Sequence, residues 1–207
     1  DNALNILTAK SYKGIGNAWI VKYLGNNESV ETIVSLLNKS IKGKTITVWD
    51  FEQLKKKYES AIHEKFDGFC DGFVALGDKD FPLHRGKVKD SEKPVFLYYK
   101  GNIELLDASN RNISVIGLLT PTEDIEFREQ KLVAQFIKNG ATIVSGLALG
   151  CDSISHREAL NSNGRTIAIL PSPLTNILPA SNKGLAFQIV EEGGLLITEY
   201  GNDFRSE

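Results

Sequence analysis

From residue 113 to residue 200 the sequence alternates short apolar runs with longer segments of helical spacing, and this alternation limits the folds open to the chain more than anything else in it. ISVIG (113–117), ATIVSG (141–146), RTIAIL (165–170) and LLITEY (195–200) are too short for helices and too evenly apolar for strands with one wet face. Between them, Glu123 to Lys138 sets Ile125, Leu132, Val133, Phe136 and Ile137 on one stripe. Ser153 to Leu160 and Gly184 to Glu191 read as two further helices. Strands buried on both faces and linked by helices predict an α/β fold class, a Rossmann-like parallel sheet with helices on both faces. FVAL (73–76) and PVFLYY (94–99) read as two earlier strands.

The texture before that is different. Residues 1–65 read as a small all-helical domain: Leu4, Ile6 and Leu7 open an apolar segment, Val30, Ile33, Val34 and Leu37 keep helical spacing, and Phe51 to His63 carries a lysine-rich outer face. The expected division is therefore 1–65, of helix-hairpin-helix or SAM-like type, and 66–207, Rossmann-like. Within the helical part, YKGIGNAW has two roles open to it. Its glycines make a tight turn between packed helices, or they bring backbone N–H groups up to a phosphate.

Charge and cysteine usage exclude several classes. With a formal net charge of −2, the molecule has no global attraction for a polyanion, so nucleic-acid contact has to rest on a local patch. Cys70 and Cys151 stand far apart without metal-ligand spacing, which predicts no disulfide, no metal and a reducing compartment. No apolar run is long enough to cross a bilayer and no leader opens the chain, so a cytoplasmic location with no membrane partner is expected.

The chemistry concentrates in SGLALGCDSISHREAL, Ser145 to Leu160. Ser145 closes a predicted parallel strand, and open α/β sheets place ligands outside the carboxyl ends of such strands. Gly146 and Gly150 let the backbone of Ser145, Gly146, Leu147, Ala148 and Gly150 turn and offer N–H groups without obstruction, while the following helix aims its positive end at the same space. An anion, above all a phosphate, is the natural occupant. Asp152 complicates this: it serves as the N-cap of the 153–160 helix, tied to backbone N–H groups, or it accepts from a sugar hydroxyl or base edge. His156 is either a packing histidine with one satisfied ring nitrogen or a ligand contact.

Taken with the rest of the carboxyl-terminal part, this segment resembles the DNA-processing protein A family (DprA, also called Smf). DFP (80–82), PVFLYYKGN (94–102), ISVIG with PT at 121 and 122, the SGLALGCDSISHREAL signature, GRTIAIL (164–170), LPASN (178–182) and GGLLITEY (193–200) carry the resemblance in order. It implies a domain that binds single-stranded DNA, loads a RecA-type recombinase in natural transformation and DNA uptake, and dimerises with itself. It implies no enzymatic reaction, no catalytic residue and no cofactor. It adds Gly117, Thr120, Asn182, Lys183 and Glu199 to the expected DNA-binding set, with Glu199 in a hydrogen-bonding pair at the pocket edge.

Two departures stand out. The family follows its first Rossmann strand with Gly-Ser-Arg, where this chain has Gly117, Leu118 and Leu119. Losing one charge-assisted phosphate contact weakens binding by roughly tenfold or more. The family also continues with strands that complete the sheet, so a fragment is expected here. Lys183 and Arg157 are candidate cations near the ligand end, whereas Glu123, Asp124, Glu126 and Glu129 crowd one helix start, complementing its dipole but repelling a DNA backbone. The alternative function is a pocket for a nucleotide or nucleotide-derived signal in a sensor or defence role. A hydrolytic version of that pocket needs a Pro-Gly-Gly-x-Gly-Thr loop, which is absent.

Overall fold

The computed structural model describes residues 1–43, 45–84 and 86–201. The last residues of the expected second domain, 202–207, lie outside that set. Two compact units are present: Asp1–Gly68 with Phe73–Leu97, and Phe69–Gly72 with Tyr98–Asn202.

The first unit is built on four helices, α1 (Asn2–Lys10), α2 (Asn17–Tyr23), α3 (Val30–Ser40) and α4 (Val48–Phe66). Local chemistry fixes where they start. Ser29 accepts the Thr32 N–H at the head of α3, and Thr47 and Asp50 form a reciprocal capping box at the head of α4, each satisfying backbone donors that the first turn leaves open. Ile6, Ile20, Ile33, Leu37 and Phe51 are fully or almost fully buried and make the core. Ile15, between the two glycines of the hairpin, is buried as well, with Gly14 at φ +90°.

The sheet has the order β1 (Gly72–Ala75), β2 (Phe96–Gly101), β6 (Leu195–Thr198), β5 (Thr166–Ile169), β4 (Ala141–Ser145), β3 (Arg111–Ser114). Strands β3 to β6 are mutually parallel, joined in turn by α5 (Glu123–Lys138), α6 (Cys151–Asn161) and α7 (Lys183–Glu191). Strand β2 runs antiparallel to β6, with Tyr98 opposite Thr198. The expected Rossmann-like sheet is therefore present in a mixed form. Its two faces follow from the two-residue period of the strands. Ile143 packs with Val133 of α5 and Ala159 of α6, while Val144, Ile167, Leu195 and Ile197 point the other way and meet Leu105 and Leu106 of a 3-10 turn, Ile103–Leu106.

One strand departs from the sequence expectation. The ISVIG run was expected to be a strand throughout, yet pairing begins earlier, Arg111 to Ser114 opposite Ala141 to Val144, and only the Val115 N–H extends it by donating to the Val144 carbonyl. Ile116 leaves the sheet, 82% exposed. The pairing register, not the hydrophobic run, sets the strand's limits.

Candidate nucleic-acid interface

The glycine-rich segment forms a compact loop between β4 and α6, held by side chains from both sides. Asp152 Oδ2 accepts the Gly146 N–H at 3.0 Å and the Ala148 N–H at 3.2 Å. From the other side, Asn182 Nδ2 donates to the Leu147 carbonyl at 2.9 Å and the Ala148 carbonyl at 3.1 Å. Ser145, also buried, donates to the Val115 carbonyl at 2.7 Å and ties β4 to the neighbouring loop. Leu147 holds φ at +64° with its side chain fully buried. That left-handed conformation costs a leucine on the order of 1–2 kcal/mol. Burial of the side chain and the two Asn182 hydrogen bonds offset it, and strain held this way is characteristic of functional loops.

The loop after β3 lies directly on this one. Gly150, at φ +71°, is the N-cap of α6, and a Cβ there would run into the Leu118 carbonyl oxygen and come within 2.5 Å of the Leu119 carbonyl. The Cys151 N–H donates to the same Leu118 oxygen at 2.9 Å. Glycine is therefore required by close approach of one backbone to another as much as by φ. Below the junction, the Cys151 thiol meets the Glu129 carboxyl. Burial pushes the Glu129 carboxyl up, with Asp152 and Glu126 adding to the shift and the thiol opposing it. Burial likewise pushes the Cys151 thiol up.

These contacts decide between the roles left open by the sequence. Asp152 is not the N-cap. It sits inside the first turn of α6, and its carboxylate reaches back to the loop amides instead of to the helix amides. His156 is completely buried, its Nδ1 at 2.7 Å from Thr166 Oγ1. The Thr166 hydroxyl donates to the Ile143 carbonyl at 2.9 Å, so its oxygen accepts from Nδ1–H, and Nε2 has no hydrogen-bond partner among the described residues. Burial pulls the imidazole down to about 4, with Asp152 opposing, so it is neutral at physiological pH. It packs in the interior between α6 and β5. Asn182, 2% exposed, is likewise a loop clamp.

Gly117, Thr120, Lys183 and Glu199 are exposed, each on a segment that follows or borders a strand end. Lys183 is the residue after the Asn182 clamp, with its ammonium 5.8 Å from the Phe187 ring centroid. Arg157 turns elsewhere. At five residues from Asp152 it lies about 140° around the helix, away from the loops. The mouth itself is apolar, with Leu118, Leu119 and Leu149 each about half exposed or more. Backbone donors are what it has to offer: the Leu149 and Gly150 N–H groups make no hydrogen bond to protein among the described residues. Sequence reasoning missed Glu129 as a buried group. Its signal was present, since it falls four residues before Val133, the buried residue of α5. No cluster of metal-ligating side chains occurs among the described residues, and no helix there is long and apolar enough to cross a membrane.

Residues 72–206 match the family profile described as DNA recombination-mediator protein A. The Smf protein of Borreliella burgdorferi is 35% identical over 180 residues, 85% of this chain and 55% of that protein. DNA processing protein DprA of Streptococcus pneumoniae is 29% identical over 192 residues, 91% of this chain and 64% of its own. The chain thus spans little more than half the length of such relatives. The X-ray structure of the pneumococcal DprA superimposes with a TM-score of 0.71 at 27% identity, covering 97% of this chain and 68% of that one. DNA processing protein A from Helicobacter pylori, whose structure addresses its single-stranded DNA binding mode, gives 0.51 at 32% identity, covering 65% of this chain and 59% of that one.

Proposed function

The chain belongs to the DNA recombination-mediator protein A (DprA/Smf) family, and from that premise we propose that it binds single-stranded DNA at the paired loops after β3 and β4. The observation that carries this is the prebuilt Ser145–Asp152 loop, held from both sides by Asp152 and Asn182 and lying at the carboxyl ends of adjacent parallel strands. The Helicobacter pylori relative supports the choice of ligand. Phosphates approach the Leu149 and Gly150 amides, and the exposed leucines around them offer flat contact to unstacked bases. Recombinase loading, self-association into a dimer and a cytoplasmic, non-enzymatic role in DNA uptake are parts of the same proposal, drawn from kinship alone.

With few cations at the mouth, affinity is weak and depends on salt. Anisotropy of labelled oligo-dT across salt concentrations tests it. Leu119→Arg, at a residue 64% exposed, returns a cation where the family carries one. It is expected to tighten binding and steepen the log–log salt slope by ~0.7 for one added phosphate contact on a single strand. Binding of a mononucleotide with no binding of oligo-dT at low salt overturns the proposal in favour of a nucleotide sensor.

A further inference from the structure

A cleft of about 230 Å³ opens on the flank of the helical layer, lined by Arg157 and Asn161 of α6, Ser181, and Leu185 and Gln188 of α7. Four of the five lining residues carry polar hydrogen-bond donors and none is acidic. The Arg157 guanidinium has no carboxylate within ion-pairing distance among the described residues, and the side chains of Asn161, Ser181 and Gln188 make no hydrogen bond to protein there. Helix geometry explains the convergence. Arg157 and Asn161 are one turn apart on one face of α6, as Leu185 and Gln188 are on α7. Leu185 is buried and gives the cleft an apolar floor. Ser181 is held in place because the next residue, Asn182, is buried and fastened to the Leu147 and Ala148 carbonyls.

We propose that this cleft is an oxyanion site that binds a phosphate group, with Arg157 as the charged donor and Asn161, Ser181 and Gln188 completing its hydrogen bonds. A planar guanidinium beside neutral donors suits a tetrahedral oxyanion, and none of the five lining residues is acidic. Its volume accommodates a phosphate group. The phosphate comes either from a free nucleotide or from a DNA strand leaving the loops past Lys183. Only the second source rests on the function proposed above.

The test is a titration of ¹⁵N-labelled chain with inorganic phosphate, deoxythymidine monophosphate and oligo-dT, followed by NMR at the Arg157 Nε–H and the Asn161 and Gln188 side-chain amides. Saturable shifts at all three groups are expected with at least one probe. Arg157→Gln is expected to weaken that probe about tenfold or more, with the Gly146 and Ala148 amide signals unmoved as a check on the fold. Tight saturation by the monophosphate identifies a free nucleotide, and saturation by oligo-dT alone identifies the strand. Absence of shifts with every probe, or shifts that survive Arg157→Gln, overturns the site. The backbone amides of Leu149 and Gly150 report the loops separately in the same spectra, so loss of the cleft and loss of the proposed DNA site are told apart.

Discussion

Asp152→Ala and Asp152→Asn together test whether the signature aspartate holds the loop. In the structure one carboxylate oxygen accepts two backbone N–H groups, from Gly146 and Ala148, and the residue is half-buried. A hydrogen bond to an ionised acceptor contributes on the order of 1.5–3 kcal/mol, less where water competes. Removing both therefore costs about 2–3 kcal/mol after that discount. Asparagine keeps an acceptor oxygen in place but makes the bonds neutral, at about 1 kcal/mol each, so its loss is about half as large. Urea unfolding followed by circular dichroism gives the free energies, and amide hydrogen exchange gives the location. Exchange at Gly146 and Ala148 is expected to quicken in the alanine variant, with the Ile154 and Ser155 amides unchanged. An N-cap would do the reverse, exposing the helix amides and leaving the loop protected. Faster exchange at Ile154 and Ser155 only, or an alanine variant within about 0.5 kcal/mol of the parent, refutes the loop-tie account.

Two pH dependences and one charge addition follow from the same site. His156, buried and neutral with its pKa drawn down to about 4, favours the folded state fully above the unfolded value near 6.5 and loses that contribution as pH falls towards 4. The loss amounts to about 3 kcal/mol across the window, read as a falling urea midpoint that His156→Gln flattens. Glu129 has the opposite sign: its folded pKa is raised, so stability is lost as pH rises through that value. Glu129→Gln is expected to raise the urea midpoint at neutral pH, the gap closing below the ordinary carboxylate range; a gap that persists in acid means packing, not ionisation, is responsible. Leu119→Arg, in the salt titration described above, reads the mouth directly.

The fold was legible because its signal is repetitive. Glu123 to Lys138 coincides with α5, and the runs at 141, 165 and 195 all lie in parallel strands, since both demand a period that composition alone cannot imitate. Legibility fails where burial is one-sided. Arg111 and Asn112 belong to β3 although both are exposed, because their pairing with Ala141 and Thr142 is made by backbone groups that leave no hydrophobic trace. Leu132 shows the converse: it lies on the predicted apolar stripe but is 53% exposed, since the stripe is wider than the surface it covers.

Ser145, Asp152 and Asn182, named from the sequence, come together around the loop, but their roles were not legible, because spacing fixes proximity but not direction. Ser145 and Asn182 were expected in the DNA-binding set, and Asp152 as an N-cap or a ligand contact; in the structure each satisfies a backbone group of the loops. That inversion has a physical reason. A loop that presents free N–H groups to a phosphate must satisfy its remaining polar groups from within, or their desolvation is charged against folding. The side chains best able to do so are short carboxylates, amides and hydroxyls, the same types that would be chosen to contact a ligand. It follows that the donors left over, the Leu149 and Gly150 amides, belong to residues without side-chain chemistry of their own, and a search for reactive side chains passes over them. Under the proposed function the leucines at 118 and 119 acquire a meaning: with no charged side chain at either position, discrimination for a flexible strand would come from backbone geometry and from the apolar rim, both of which the Gly150 contact with Leu118 holds in register.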